Sequence, residues 1–186
     1  MSASHLAHDW YPEPVPDNVE IGDGSWLYST YAFLHCRSEK PHAVRIGRHC
    51  GVYNGCFFEL GPRGAVTVGD YSTLVGVIIA TNSRVVIGDY CFLSHEVVIA
   101  DTATATPWHT RQRGASQRGG ETSVNLGDDV WVGAGAVLLR GAQLGDGAIV
   151  GASTIVDFAV PPYAIVAGNP ARIVGHAASR GTDDGA

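Results

Sequence analysis

No apolar run in the 186-residue sequence is long enough to cross a bilayer, which excludes a helical membrane span. The opening residues, "MSASHLAHDWYPEPVPDN", are polar and proline-rich and show no secretory signal, so the expected location is the cytoplasm. Positive charge is scarce: at a net charge of -6, neither nucleic acid nor an anionic membrane is expected as a partner. The four cysteines form no CxxC pair, and no metal is expected. With 45% hydrophobic residues there is apolar material for one folded domain.

Glycine, by contrast, is abundant and sits at fixed places. In "LGDDVWVGAGAVLLRGAQLGDGAIVGASTIV", Leu126 to Val156, every sixth residue is aliphatic: Leu126, Val132, Leu138, Leu144, Val150 and Val156. Two places before each return stands a small or β-branched residue, Val130, Ala136, Ala142, Ala148 or Thr154, and glycine follows at Gly127, Gly133, Gly145 and Gly151. A helix would repeat its apolar face at about 3.6 residues and a free strand at about 2, so neither template fits. A period of six predicts short strands separated by turns, three to a coil, with the aliphatic and small residues inward and glycine easing the turn.

The same register begins at Ile21, Ile46, Val68 and Ile87, so that the intervals from start to start down to Leu144 are 25, 22, 19, 39 and 18 residues. Against a coil of 18 residues the extra residues can all be placed after the third hexad, at one corner of a triangular prism. The longest insertion, 105–125, is large enough to be an arm and carries Arg111, Arg113 and Arg118. Cys50, Cys56 and Cys91 fall on the inward small-residue place, where free cysteine packs as a compact hydrophobe. The expected organisation is a cap segment over residues 1–20, a prism over 21–174 and a flexible tail over 175–186.

This repeat, covering nearly the whole chain, resembles the hexapeptide-repeat family. The resemblance implies an all-β fold, a left-handed parallel β-helix of about six coils with one long inserted loop. Its hand is what the family implies, since crossovers between parallel strands are normally right-handed. Within that family, "DDVWVGAGAVLLRGAQLGDGAIVGASTIV" followed by "PPYAIVAGNPARIVG" is similar to the signature of coenzyme A-dependent O-acetyltransferases, those of galactosides, maltose and polysaccharides. Acetyl-CoA is then the implied co-substrate, with its pantetheine arm in a groove between adjacent prisms of a homotrimer. Carried over by motif, Gly133, Ala134, Gly151 and Ala152 are the small residues beside that arm, where a longer side chain would push it off the backbone. Trp131 is carried over as a neighbour of the pantetheine. Arg172, in "GNPARIVG", offers paired donors to the nucleotide phosphates. Asp157 and Phe158 stand where the family has Thr or Ser and then Lys, and an acidic residue there would repel those phosphates.

Transfer to a hydroxyl needs a group to take its proton, and neutral imidazole suits that role at neutral pH. The family keeps a catalytic histidine in a "THPxH"-like stretch at the root of the arm. Here the stretch is "ATPWH", with Thr106 in place of the first histidine, so His109 is the first choice of base and His95, in "LSHEVV", the second. No serine or cysteine is paired with a histidine by motif, so direct transfer without an acyl-enzyme is expected. A small sugar-like hydroxyl compound is the acceptor the resemblance implies. Nine of the sixteen aromatics, from Trp10 to Phe58, could line its site together with Glu59. Two other classes share the prism. One is a non-catalytic trimeric binding or scaffold protein. The other, a γ-type carbonic anhydrase, needs two zinc-binding histidines five residues apart, and no H-x-x-x-x-H occurs.

Overall fold

A chain that must turn an aliphatic side chain inward every six residues has room only for short strands, and here they run from two to five residues. In the computed structural model, which describes residues 6–101 and 123–178, these strands stack into three sheets, the faces of a prism. The first face has seven strands, from Val19–Ile21 to Ala159–Val160, and the second has eight, from Trp26–Leu27 to Arg172–His176. The third has five, from Phe57–Leu60 to Ile155–Val156. The fold is a left-handed parallel β-helix.

Ile21, Ile46, Val68, Ile87, Leu126 and Leu144 pair one above the next on the first face, which is the series of coil starts read from the repeat. On the third face Phe58, Ile79, Ile99, Leu138 and Val156 form a second such column. In the first coil that place is taken by a 3-10 helix, Thr30–Phe33, whose Phe33 ring stacks on Phe58 at 5.1 Å. The inserted segments enter between the third face and the first, at one corner.

Three boundaries differ from the sequence reading. Ser123–Leu126 is a strand paired throughout with Arg84–Ile87, so residues 123–125 belong to the first face rather than to the inserted loop. Val19–Ile21 begins the prism two residues inside the expected cap. At the other end Arg172–His176 pairs antiparallel with Ala164–Ala167, placing Gly175 and His176 in a strand rather than a tail. In each case backbone pairing, which leaves little side-chain pattern, extends the element.

The core is the interior of the prism. Its aliphatic column from Leu126 to Val156 and its small column from Val130 to Thr154 are both buried. Cys50, Cys56 and Cys91 are buried among them, and burial pushes the Cys91 thiol up to about 11. Outside, at the corner between the first and second faces, the aspartates that follow the repeat glycines tie coil to coil. The Asp70, Asp89, Asp128 and Asp146 carboxylates accept from the backbone N–H groups of Arg48, Asp70, Asp89 and Asp128 at 2.7–3.0 Å. Above them the His49, Tyr71 and Tyr90 rings stack at 5.1 and 4.9 Å.

Candidate functional site

Five of the residues singled out in the sequence meet at the corner between the second and third faces. Coil-to-coil hydrogen bonds set them in columns. Gly135 N–H donates to the His95 carbonyl and Ser153 N–H to the Ala134 carbonyl, both at 2.9 Å. Gly133 and Gly151 donate in the same way to Val150 and Val166 at 2.8 Å. His95, Ala134 and Ala152 thus form one vertical row, with Gly133 and Gly151 beside it. From His95 downward the row carries no side chain longer than a methyl group. The narrowness is built in, because a Cβ on Gly133 would lie 2.6 Å from the Ala152 backbone nitrogen.

Two further residues flank this strip. Trp131 points outward from the second face, 53% exposed, between Phe92 above and Ile149 below. It forms an apolar wall along one side. At the foot, Arg172 pairs with Ala167, which adjoins Gly151. The Arg172 side chain is exposed and donates to the Ala171 carbonyl at 3.1 Å. Asp157 is not beside it: it is exposed at the corner between the third and first faces, its carbonyl against Gly141. His95 is exposed at the upper end of the strip. Thr106, His109, Arg111, Arg113 and Arg118 lie outside the described residues.

Higher on the same edge is a cavity of about 150 Å³, lined by Trp10, Tyr28, Tyr31, Tyr53, Asn54 and Phe57 among others. Five of the nine N-terminal aromatics thus contribute to one hollow. The remainder go elsewhere: Phe33 and Phe58 into the core, Trp26 against His8, and Tyr11 edge-on to Tyr31. Glu59 is exposed on the third face, outside the lining. Asp9 fastens the segment that brings Trp10 into place. Its carboxylate accepts from Thr30 N–H at 2.6 Å, Thr30 Oγ1 at 2.8 Å, Ser29 Oγ at 2.7 Å and Tyr11 N–H at 3.0 Å. Burial alone would raise its pKa, but these bonds outweigh it and hold the group at about 2.

Sequence reasoning passed over Asp101. This residue is fully buried beside the start of the inserted segment, where it accepts from Thr81 Oγ1, while Arg140 Nε donates to its backbone carbonyl at 2.9 Å. Among the described residues carboxylate oxygen Oδ1 has no hydrogen-bond partner, and burial raises the pKa in spite of Thr81, the Asn82 backbone and Arg140. Its signal was present: Asp101 continues a column begun by Leu60 and Thr81, where an apolar or small residue would be ordinary. Among the described residues no group of His, Cys, Asp and Glu side chains converges to hold a metal ion, and no helix is long and apolar enough to cross a membrane.

The coils that carry the strip, residues 123–157, match the family model for the bacterial transferase hexapeptide, six repeats. The chain is a hexapeptide-repeat β-helix. Sequence relatives of this β-helix include a chloramphenicol acetyltransferase from Morganella morganii, 45% identical over 58 residues, 31% of this chain and 27% of that protein. A serine acetyltransferase from Escherichia coli is 32% identical over 100 residues, 54% of this chain and 34% of that protein. The chain thus spans about a quarter to a third of the length of the curated relatives it matches. Among solved structures, the β-helix is similar to an N-acyltransferase from Bacillus cereus in complex with dTDP and coenzyme A. The TM-score is 0.66 at 19% identity, over 86% of this chain and 84% of that one. A hexapeptide-repeat acetyltransferase from Vibrio cholerae complexed with acetyl coenzyme A follows at 0.59 and 21% identity, over 81% and 77%. At such identities the likeness is one of fold.

Proposed function

We propose that this protein is a coenzyme A-dependent O-acetyltransferase, acting in the cytoplasm on a hydroxyl of a small sugar-like acceptor. The observation that carries the reading is the strip itself, small residues from Ala134 to Ala152 walled by Trp131 and ending at Arg172. An extended pantetheine chain fits a row, Ala134 to Ala152, whose side chains stop at Cβ, and a guanidinium at its foot suits phosphates. The acetyltransferase relatives support the same chemistry.

In the proposed reaction the acceptor hydroxyl gives its proton to a histidine as its oxygen attacks the thioester carbon. The C–S bond then breaks, coenzyme A leaves as its thiol, and a backbone N–H or solvent meets the intermediate oxyanion. Two histidines compete for the role of base, His109 by motif and His95 by its place on the edge. Direct transfer is supported by the state of the thiols, since Cys50, Cys56 and Cys91 are buried and burial raises the pKa of each.

The faces flanking this edge are apolar outside as well as inside. Phe92, Trp131, Ile149 and Ile165 ladder up the second and Phe57, Ile78, Val98, Val137 and Ile155 up the third. The first face instead presents mostly polar side chains, Glu20, Arg45, Thr67, Asn125 and Gln143, with Val86 and Ala159 in the same column. Closure of three copies would cover the apolar faces and turn the strip into a groove. The deciding experiment is calorimetry with acetyl-CoA alongside a mass measurement. One saturable site per chain in a trimer is the expected result. Failure to bind acetyl-CoA would overturn the enzyme reading in favour of a non-catalytic prism.

A further inference from the structure

We infer that the aromatic cavity at the N-terminal end of the edge is the acceptor site, and that its occupant is a single neutral sugar ring bearing no phosphate. This rests on the acyl-transfer reading above and adds to it a place and a substrate class.

The first argument is position. Tyr53, Asn54 and Phe57, in the second coil, form the lower wall of the cavity. Between that wall and His95 lies the third coil, whose corner residues are Val75 and Gly76. A Cβ on Gly55 would lie 3.3 Å from the Gly76 Cα; one on Gly76 would lie 3.6 Å from the Asn54 carbonyl oxygen and 3.9 Å from the His95 Cα. The half-buried Val75 is the one corner side chain of the third coil, and it stands between the hollow and the imidazole. The hollow and the strip lie along the same edge on either side of His95, so an occupant's hydroxyl and a thioester would approach it from opposite ends of that edge.

Size is the second. A cavity of about 150 Å³ is the volume known to admit one benzene-sized ring. A disaccharide or a nucleotide would leave most of itself outside.

Chemistry is the third. Trp10, Tyr28, Tyr31, Tyr53 and Phe57 offer broad π faces, and Asn54 and the tyrosine hydroxyls offer hydrogen bonds. Such a lining suits a pyranose, which has a C–H face for stacking and hydroxyls at its rim. None of the lining residues is charged. A phosphate entering it would lose its hydration without gaining a cation, which is strongly unfavourable. The walls are also set in advance, because Trp10 and Tyr31 lie 5.3 Å apart and the Tyr31 ring meets Phe57 edge-on at 5.6 Å. Asp9 holds the strand of chain that carries Trp10.

The test uses the full chain and saturation-transfer NMR with methyl β-galactopyranoside, methyl α-glucopyranoside and UDP-glucose as probes, without acetyl-CoA. At least one methyl glycoside is expected to receive saturation, strongest on the protons of the ring's apolar face. Tyr53→Ala and Asn54→Ala should each lower that signal at least ~3-fold while retaining the wild-type circular dichroism. Asn54 is exposed, so its variant keeps the test valid if the tyrosine variant fails to fold. Acetyl-CoA affinity, measured separately, should be unchanged in both. Saturation of neither glycoside, an undiminished signal in the folded variants, or stronger binding of UDP-glucose through its diphosphate would overturn the inference. Loss of acetyl-CoA binding in the wild type with glycoside binding intact would instead sink the acyl-transfer reading and leave the sugar site standing.

Discussion

His95 and His109 separate by experiment because a general base contributes about 100-fold or more to turnover and little to binding of the acyl donor. Replacing the true base with Ala should lower kcat by at least ~100-fold at unchanged acetyl-CoA affinity, and the other replacement should stay near the wild-type rate. Initial rates beside calorimetry decide between them. Gly133→Val tests the strip differently. Its Cβ would press on the Ala152 backbone nitrogen, so a loss of about 1–3 kcal/mol in stability is expected in denaturant unfolding, together with weakened acetyl-CoA binding. Asp101 gives a prediction of opposite sign. With its pKa raised in the fold, the ionised carboxylate opposes folding at neutral pH, and the opposition disappears as pH falls through the raised value. Asp101→Asn keeps an oxygen for Thr81 and removes the charge, so it should melt higher than wild type at pH 7, with the advantage shrinking towards pH 4. Thermal melts across that range check it.

At the scale of the coil, the six-residue beat made the architecture readable because each inward position admits one kind of side chain. The coil starts from Ile21 to Leu144 and the single corner that takes the insertions follow from that restriction. Residues 19–20, 123–125 and 175–176 lie in strands that the repeat does not mark, because edge pairing is a property of backbone N–H and C=O groups, which every residue except proline supplies in full. The strip could be read from Gly133 to Ala152, since smallness is visible in the letters. Which five aromatics meet in the cavity could not. Trp10 joins the other four only because residues 6–18 fold back across the first coils, and the agent is one carboxylate that reaches Ser29 and Thr30, some twenty residues away. That fastening is pH-dependent. Asp9 has a folded pKa of about 2 against an ordinary 3.8, so its contribution is complete above the ordinary value and is lost as pH falls towards 2. Fluorescence of Trp10, 65% exposed, should report release of the segment between pH 4 and pH 2, and Asp9→Asn should release it already at neutral pH.

For the whole molecule, the outer ladders on the second and third faces predict how assembly can be broken. Val137→Arg puts a charge in the middle of the third-face ladder, where covering it would bury an unpaired cation. Sedimentation should show the proposed trimer falling to monomers that keep their β-sheet dichroism, with acetyl-CoA binding lost if, as proposed, the groove is formed between two prisms. The antiparallel strand Arg172–His176 has another bearing on assembly. A stack of parallel coils has an open rung at each end, and identical open rungs invite one molecule to continue another as a fibre. By running backwards, this strand closes the lower rung of the second face to a parallel successor. Removing residues 169–186 should leave rods that lengthen end to end, visible as thioflavin-positive filaments. The same five residues carry Arg172, so deleting the strand removes the stopper against polymerisation and the proposed phosphate contact together, whereas replacing the Arg172 side chain alone should spare the stopper.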